Sequence, residues 1–579
     1  MNRSAAVQTI WSELLAGTLA DAGVATCVVS PGSRSTPITA ALAAVGRFAL
    51  PTIIDERAAA FYALGVARAT GECVALVCTS GSAAAHYLPA LVEASMAGVP
   101  LVAITTDRPP ELQHCGASQT IDQIGLYGAF VRAAFDLGAP VGTAAALRAL
   151  RRTVVQAIAT ARGPRPGPVQ LEVPLAKPLE PAAPSTDDER ALAAAAAALR
   201  GPIEIAVPRL VADDRALEQL AARIASEPRG VIVAGAMPIH FARARDAAFE
   251  LARRAQYPLL AEAASQLRFA GARSGVAAID RFDLVLAASA APTPALVVQL
   301  GAEPVAAAWQ GTFADAEHYV LADADGLDPT GRARVIAGDV SASLARLAQL
   351  VAKSRPRAGS FADAWLAAEQ RAAGALEAAA ARHPNNEGDA LRAAFHALPP
   401  GALVQIGNSL PIRVVDHACT GGDRLVISQR GAAGIDGLIA SATGAATTAP
   451  VLLVLGDVSF AHDLGSLLVA RDAAKPLAIL VIDNAGGRIF GGLPFARHAP
   501  PAAFARHWLA APHVDPVAVA LALGLRAQLA PTPAAIAAAV AAALAPSAHA
   551  GTTVIHAPVA PTGARDLRAT ALDLLGRSS

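Results

Sequence analysis

The chain has 579 residues, of which 54% are hydrophobic and only 16% charged, with 47 Lys+Arg balancing 47 Asp+Glu. That length exceeds one hydrophobic core and predicts three or four domains. The charge content lies well below the usual quarter, and its balance excludes the basic footprint of a nucleic-acid or anionic-membrane binder. Much of the apolar excess is alanine. Lys177, Lys353 and Lys475 are the lysines, which leaves few places for a Schiff base and none in a promising setting. Cys27, Cys73, Cys78, Cys115 and Cys419 form no C-x-x-C pair, so a reducing compartment is expected, without a zinc site or disulfide framework.

In chain order, "MNRSAAVQTIWSELLAGTLADAGV" carries acids among its apolar residues and predicts an amphipathic helix, not a signal peptide. No apolar run approaches the ~20 residues that span a bilayer, so a soluble, cytoplasmic protein is expected. Strands are predicted at "TCVVS", "PTIID", "CVALVCTS" and "PLVAITTD", followed by a linker over 173–190. The middle third shows "GVIVAGA", "LVVQLGA", "HYVLADAD" and "ARVIAGD", and a second linker covers 352–360. The last third shows "ALVQIGNS", "RLVISQ", "VLLVLGD" and "PLAILVIDN". Short β-branched runs alternating with helices predict an α/β fold with three parallel-sheet domains, over 1–180, 190–352 and 360–579. No glycine-rich dinucleotide fingerprint opens any of them.

Two stretches carry chemistry. In "VVSPGSRSTPITAAL" a strand turns into a helix through Ser33 and Arg34, a natural anion site. No Walker lysine is present, so the anion is open to being a carboxylate. In "VLLVLGDVSFAHDLGSLLVARDAAKPLAILVIDNAGGRIF", 451–490, one βαβ unit places Asp457 and Asn484 at the same carboxyl edge. A carboxylate, an amide oxygen and the Gly486 carbonyl make a hard cation site that suits Mg²⁺ bridged to a diphosphate. An ordinary Asp-capped turn is the other reading.

The spacing from Asp457 to Asn484 is similar to the thiamine-diphosphate motif, with Val458 replacing its second glycine and Asp483 its first asparagine. A thiamine enzyme also needs a carboxylate at N1′ of the cofactor's pyrimidine. Glu56 in "IIDERAAAFYALGVARATG" follows a strand end and opens an apolar helix. A helix-dipole acid is the alternative for an isolated Glu, with Asp55 available for that lesser role.

"SPGSRSTP", "DERAAAFYALGVARATG", "CTSGSAAAHYLPALVEA", "TTDRPPEL", "GASQTID", "GNSLPIR", "QRGAAGIDG" and "GGRIFGGLP" occur in the order found in the MenD enzymes of menaquinone biosynthesis, which the chain resembles over nearly its full length. The resemblance implies a thiamine-diphosphate-dependent transferase that decarboxylates 2-oxoglutarate and adds the resulting carbanion to isochorismate. It implies a pyrimidine-binding first domain, a central domain and a diphosphate-binding last domain. It also implies a homodimer or homotetramer with active sites across the dimer interface, and Mg²⁺ for which Mn²⁺ substitutes.

Residue by residue, Glu56 would activate the cofactor, and Ser409, Ile435, Asp457, Val458, Ser459 and Asn484 would hold it, with Asp457, Asn484 and Gly486 on the metal. Ser33, Arg34, Arg108 and Gln119 match the positions that hold isochorismate. Ser409 and Arg413 match those facing the distal carboxylate of the 2-oxoglutarate unit, and Arg430 is another substrate-facing arginine. Arginine forks suit such dicarboxylates, and Arg34, Arg413 and Arg430 are expected to act in catalysis. Ile435 would lie beneath the bent cofactor. Ile489, Phe490 and Leu493 would wall the reacting carbons, although taken alone they read as core.

The chain departs from the family at Ala306, Ala307 and Ala308, where many members carry Lys or Lys-Arg. An acetolactate-synthase-like carboligase or 2-oxo acid decarboxylase is the alternative activity. A catalytically inactive α/β scaffold is the alternative class, against which Glu56, Asp457 and Asn484 speak.

Overall fold

The structure is a computed structural model that describes residues 4–306, 308–323, 328, 330–351 and 361–576. Its described residues form three parallel sheets. The first contains β1 (Cys27–Val29), β2 (Val74–Cys78), β3 (Leu101–Asp107), β4 (Ala134–Asp136) and β5 (Val169–Pro174), in the order β1-β2-β3-β5-β4. The second contains β6 (Gly230–Ala234), β7 (Leu259–Ala261), β8 (Leu296–Leu300), β9 (Glu317–Ala322) and β10 (Arg334–Ala337), in the order β10-β9-β8-β6-β7. The third contains β11 (Leu403–Ile406), β12 (Leu425–Ser428), β13 (Val451–Gly456), β14 (Pro476–Asp483), β15 (Arg526–Leu529) and β16 (Gly551–Pro558), in the order β12-β11-β13-β14-β16-β15. β2, β3 and β8 are buried along their whole length and β13 up to Leu455, because helices cover both faces of a parallel sheet.

The chain groups into two compact units, one of 1–208 with 429–448 and 465–469, the other of 209–428, 449–464 and 470–579. Within the first unit the helix Leu438–Ala445 packs on the helix Glu56–Thr70. Glycines permit the approach: a Cβ at Gly65 would lie 1.9 Å from the Ser441 carbonyl oxygen, and one at Gly444 would lie 2.1 Å from that of Tyr62. Within the second unit, buried Arg268 joins the two sheets' loops. Its guanidinium donates to the carbonyls of Ala261 and Asp280, and to those of Asp416 and Cys419. Every donor is used and the nearby Asp280 and Asp416 carboxylates offset the charge, so the cation is tolerated in the interior.

Three expectations are corrected. The first helix, Ala5–Asp21, is buried along nearly all its length with Glu13 exposed, so it is not amphipathic; the helices Thr36–Val45, Ala144–Arg162 and Asp187–Ala198 all pack on it. "PTIID" is no strand but a single bridge between Val29 and Thr52, since Pro51 lacks a ladder donor and the chain turns at once into the Asp55 cap. The stretch 173–190 is not all linker: β5 runs to Pro174, and a capping box of Thr186 and Glu189 starts the helix Asp187–Ala198. The segment 352–360 and Ala307 lie outside the described residues. Ala306 is buried, and Ala308 opens the short helix Ala308–Thr312.

Candidate active site

In the first unit, the loops after β1, β2 and β3 meet at the carboxyl edge of the sheet. Arg34 is 3% exposed there; its backbone N–H donates to Thr79 Oγ1 at 3.3 Å and its Nη1 to the Leu175 carbonyl at 2.5 Å. Its Nε is buried without a partner, a donor that desolvation makes costly to leave unmet. Burial and then the charge of Arg108 depress the Arg34 pKa, while Asp107 opposes them. Arg108 Nη1 donates to Ser80 Oγ at 3.0 Å, and Nη2 to the Ser118 carbonyl at 3.1 Å.

Gln119 adopts a left-handed backbone with φ 56°. Its Nε2 donates to the Ser80 carbonyl at 3.0 Å, and its own carbonyl accepts Ser80 Oγ–H at 3.0 Å. The structure thus brings together Arg34, Arg108 and Gln119, and Ser33 stands exposed beside Arg34. Ser80 is the hub between Arg108 and Gln119, a role sequence reasoning missed although the residue lies only two positions after the end of β2. Asp107 ends β3, buried, with Oδ1 on the Arg108 N–H and Oδ2 on Gln113 Nε2; burial raises its pKa.

Glu56 is the first residue of its helix and half-buried. Asp55 performs the capping, with Oδ1 accepting the N–H groups of Arg57 at 2.9 Å and Ala58 at 3.2 Å. The cap is therefore supplied without Glu56, whose carboxylate is left for another task. Arg430 and Ile435 lie half-buried in the loop 429–437, also in the first unit.

In the second unit, Ser409 sits before the helix Leu410–Ala418 with φ 73° and ψ −128°, and its side chain makes no cap bond. Such a backbone is strained for any residue with a Cβ, and strain of this kind gathers at functional sites. The Ser409 carbonyl accepts Arg413 Nη1 at 2.7 Å, which orients that arginine.

Asp457 directly follows β13 and starts a short helix carrying half-buried Val458 and buried Ser459. Asp457 Oδ1 accepts the Val458 N–H at 2.9 Å and Oδ2 the Gly486 N–H at 2.6 Å. Burial lifts its pKa to about 6, and neighbouring Asp483 adds to this. Asp483 stays ionised because His556 Nε2 lies 2.9 Å from its Oδ2. Asn484 Nδ2 donates to Glu387 Oε1 at 3.1 Å, which turns its amide oxygen the other way. The Gly486 carbonyl accepts the Arg488 N–H at 2.7 Å and retains one lone pair. His556 and Glu387 were not foreseen; His556 became visible only once β16 was paired with β14.

Phe490 is 40% and Leu493 43% exposed, with Ile489 half-buried, so these residues form open loop surface rather than core.

Comparison with known proteins decides the family. The thiamine pyrophosphate enzyme N-terminal TPP binding domain matches residues 11–126 and its C-terminal TPP binding domain matches 417–557. A 2-succinyl-5-enolpyruvyl-6-hydroxy-3-cyclohexene-1-carboxylate synthase of Sorangium cellulosum is 40% identical over 540 residues, covering 90% of this chain and 88% of that protein. The synthase of Myxococcus xanthus is 38% identical over 90% of each chain.

The chain belongs to the 2-succinyl-5-enolpyruvyl-6-hydroxy-3-cyclohexene-1-carboxylate synthase family.

In fold it is similar to benzoylformate decarboxylase from Polynucleobacter necessarius, with TM-score 0.71 and 16% identity over 95% of this chain and 98% of that one. It is also similar to a putative thiamin diphosphate-dependent enzyme from Mycobacterium smegmatis, with TM-score 0.68 and 19% identity over 94% and 98%. In this synthase the matched N-terminal domain contains Glu56 and the C-terminal one contains Asp457 and Asn484. The residues present fit thiamine diphosphate. Glu56 is spared from capping, and among the described residues no group of three or more His, Cys, Asp or Glu side chains is arranged to hold a metal ion by itself. A cation beside Asp457 would therefore draw on amide, main-chain and diphosphate oxygens, the donor set of a hard ion.

Proposed function

We propose that this chain decarboxylates 2-oxoglutarate and joins the succinyl unit to isochorismate, using thiamine diphosphate and Mg²⁺, with Mn²⁺ able to substitute. The observation that carries the reading is the cluster of Arg34, Arg108, Ser80 and Gln119, with Arg34 Nε buried and unmet. A planar guanidinium donor that is buried suits a carboxylate better than a neutral acceptor. When bound, thiamine diphosphate supplies the nucleophilic carbon and the electron sink for loss of CO₂.

The chain's own residues do the rest. Glu56 shares a proton with N1′ of the aminopyrimidine. Asp457, the Asn484 amide oxygen and the Gly486 carbonyl hold the cation, with Val458 and Ser459 beside the diphosphate. Ser409 and Arg413 take the distal carboxylate of 2-oxoglutarate, Arg430 faces the substrate, and Ser33, Arg34, Arg108 and Gln119 hold isochorismate. Ile435, Ile489, Phe490 and Leu493 exclude water, which favours loss of charge as the carboxylate leaves.

We assign 1–180 to pyrimidine binding, 190–352 to the central domain and 360–579 to diphosphate binding. From the resemblance to the family we also read the protein as a homo-oligomer with sites across its dimer interface; Ile54, two residues before Glu56, is 84% exposed and available to such a contact. Among the described residues no helix is long and apolar enough to cross a membrane, and a cytoplasmic location is proposed. Incubation with both substrates, thiamine diphosphate and Mg²⁺, followed by product mass analysis, tests the reading. Turnover of pyruvate without isochorismate would instead favour an acetolactate-synthase-like activity.

A further inference from the structure

Glu93 lies in the helix Leu88–Met96 and is 2% exposed. Its carboxylate takes three donors from two other parts of the first unit. Arg68, from the helix Glu56–Thr70, pairs with Oε1. The backbone N–H of Gly431 donates to Oε1 at 3.0 Å and that of Ala432 to Oε2 at 2.6 Å. Close approach reinforces the contact, since a Cβ at Gly431 would fall 2.7 Å from the Glu93 carbonyl oxygen and 3.0 Å from the Ala97 nitrogen.

A buried carboxylate is expensive to keep unless charge and hydrogen bonds satisfy it, and an apolar pair would often pack as stably. What the carboxylate adds is geometry. Two successive N–H groups on its two oxygens fix two successive peptide planes. The first of those planes is the Arg430–Gly431 peptide, so the direction in which Arg430 leaves the backbone is set there. Gln429 Nε2 donates to the Asp436 carbonyl at 2.9 Å and closes the same loop on itself, which carries the constraint to Ile435.

We propose that Glu93, held by Arg68, is a positioning residue that seats the loop 429–437 and thereby aims Arg430 at a substrate carboxylate. The proposal rests on the reading of Arg430 given above. It makes the helix pair 56–70 and 88–96 part of the substrate-binding apparatus without touching substrate.

The test uses the full chain with Glu93→Gln, Arg68→Lys and Gly431→Ala. Gly431→Ala lifts the loop while leaving the buried ion pair in place, so it stands in if Glu93→Gln fails to fold. Limited trypsin digestion with mass analysis reads the clamp directly, because the Arg430–Gly431 bond is itself a tryptic site. All three variants should be cut there at least about tenfold faster than the parent while melting temperatures stay close. In steady state they should raise, by about tenfold, the KM of the substrate whose KM Arg430→Gln raises, with kcat held within about threefold. The double variant Glu93→Gln/Arg430→Gln should be no worse than Arg430→Gln alone. Parent-like protection from trypsin, or losses that add in the double variant, would overturn the proposal while leaving the Arg430 reading intact. If Arg430→Gln changes neither KM, that reading falls and the proposal with it, even where trypsin shows the loop released.

Discussion

Gly486 donates its backbone N–H to Asp457 Oδ2 at 2.6 Å, which ties the loop after β14 to the end of β13. Register makes the contact possible, because Gly456 pairs with Ile482 and both strands end at the same edge. At φ 110°, Gly486 adopts a backbone that a side chain would strain, and it does so at the point where its N–H must turn back. One carboxylate thus organises the loop that carries Asn484, and it is also the one charged group proposed to hold the cation.

Asp457→Ala should therefore abolish Mg²⁺-dependent binding of thiamine diphosphate. Loss of an outer partner of a metal site costs ten- to a hundredfold in affinity, and loss of the anionic ligand itself should exceed about a hundredfold. Titration calorimetry at limiting Mg²⁺ measures it. A variant that binds cofactor as tightly as the parent would place the cation elsewhere.

Arg34 and Arg413 should separate the two substrates. Each contributes a charge-assisted carboxylate contact worth about 1.5–3 kcal/mol, or roughly ten- to a hundredfold. Arg413→Ala should mainly raise the KM for 2-oxoglutarate and Arg34→Ala that for isochorismate. Equal effects of each variant on both substrates would show that the sites are not partitioned this way.

The parallel α/β class and the two chemistry-bearing turns were legible in the sequence because both are local patterns. A strand end followed by Asp457, or by Ser33 and Arg34, is written in consecutive residues. Ser80, Glu93, Glu387 and His556 were not legible, since each acts through a partner far along the chain: Gln119, Gly431, Asn484 and Asp483. Taken alone, the apolar loop 489–493 reads as core, because hydrophobicity alone does not distinguish core from exposed loop surface. The first helix misled as well, since its acidic residues suggested a polar face while other helices pack around it.

Glu172 should make stability fall as pH rises. It is buried beside Thr105, with Gln123 Nε2 on Oε1 and Gln170 Nε2 on Oε2, each at 3.0 Å. Burial, with Asp107 adding, pushes its pKa up to about 8 against those bonds, whereas the unfolded chain's value is about 4.3. Between those values the folded state binds the extra proton, so the stabilising contribution is complete below about pH 4.3 and is lost as pH climbs through about 8. The slope approaches 1.4 kcal/mol per pH unit within that window. Glu172→Gln carries no such proton and should melt with a flatter pH dependence between pH 5 and 8. Parallel melting curves for parent and variant would show that Glu172 is not the proton carrier.

Glu56 and Asp457 should complement each other between chains. They belong to different compact units, and the proposed homodimer would build each site from Glu56 of one subunit and Asp457 of its partner. Glu56→Gln should remove turnover while leaving Mg²⁺-dependent cofactor binding intact, and Asp457→Ala should remove that binding. A dimer of one Glu56→Gln chain and one Asp457→Ala chain then has one site with both lesions and one with neither, as closed two-fold symmetry requires. Doubly tag-purified mixed dimers should recover about half the parental activity per site, and a randomly exchanged population about a quarter, because about half its dimers are mixed. Co-expression of differently tagged chains followed by assay reads this directly. Mixed dimers that assemble normally yet recover no activity would confine both residues to one subunit's site and refute the shared-site architecture.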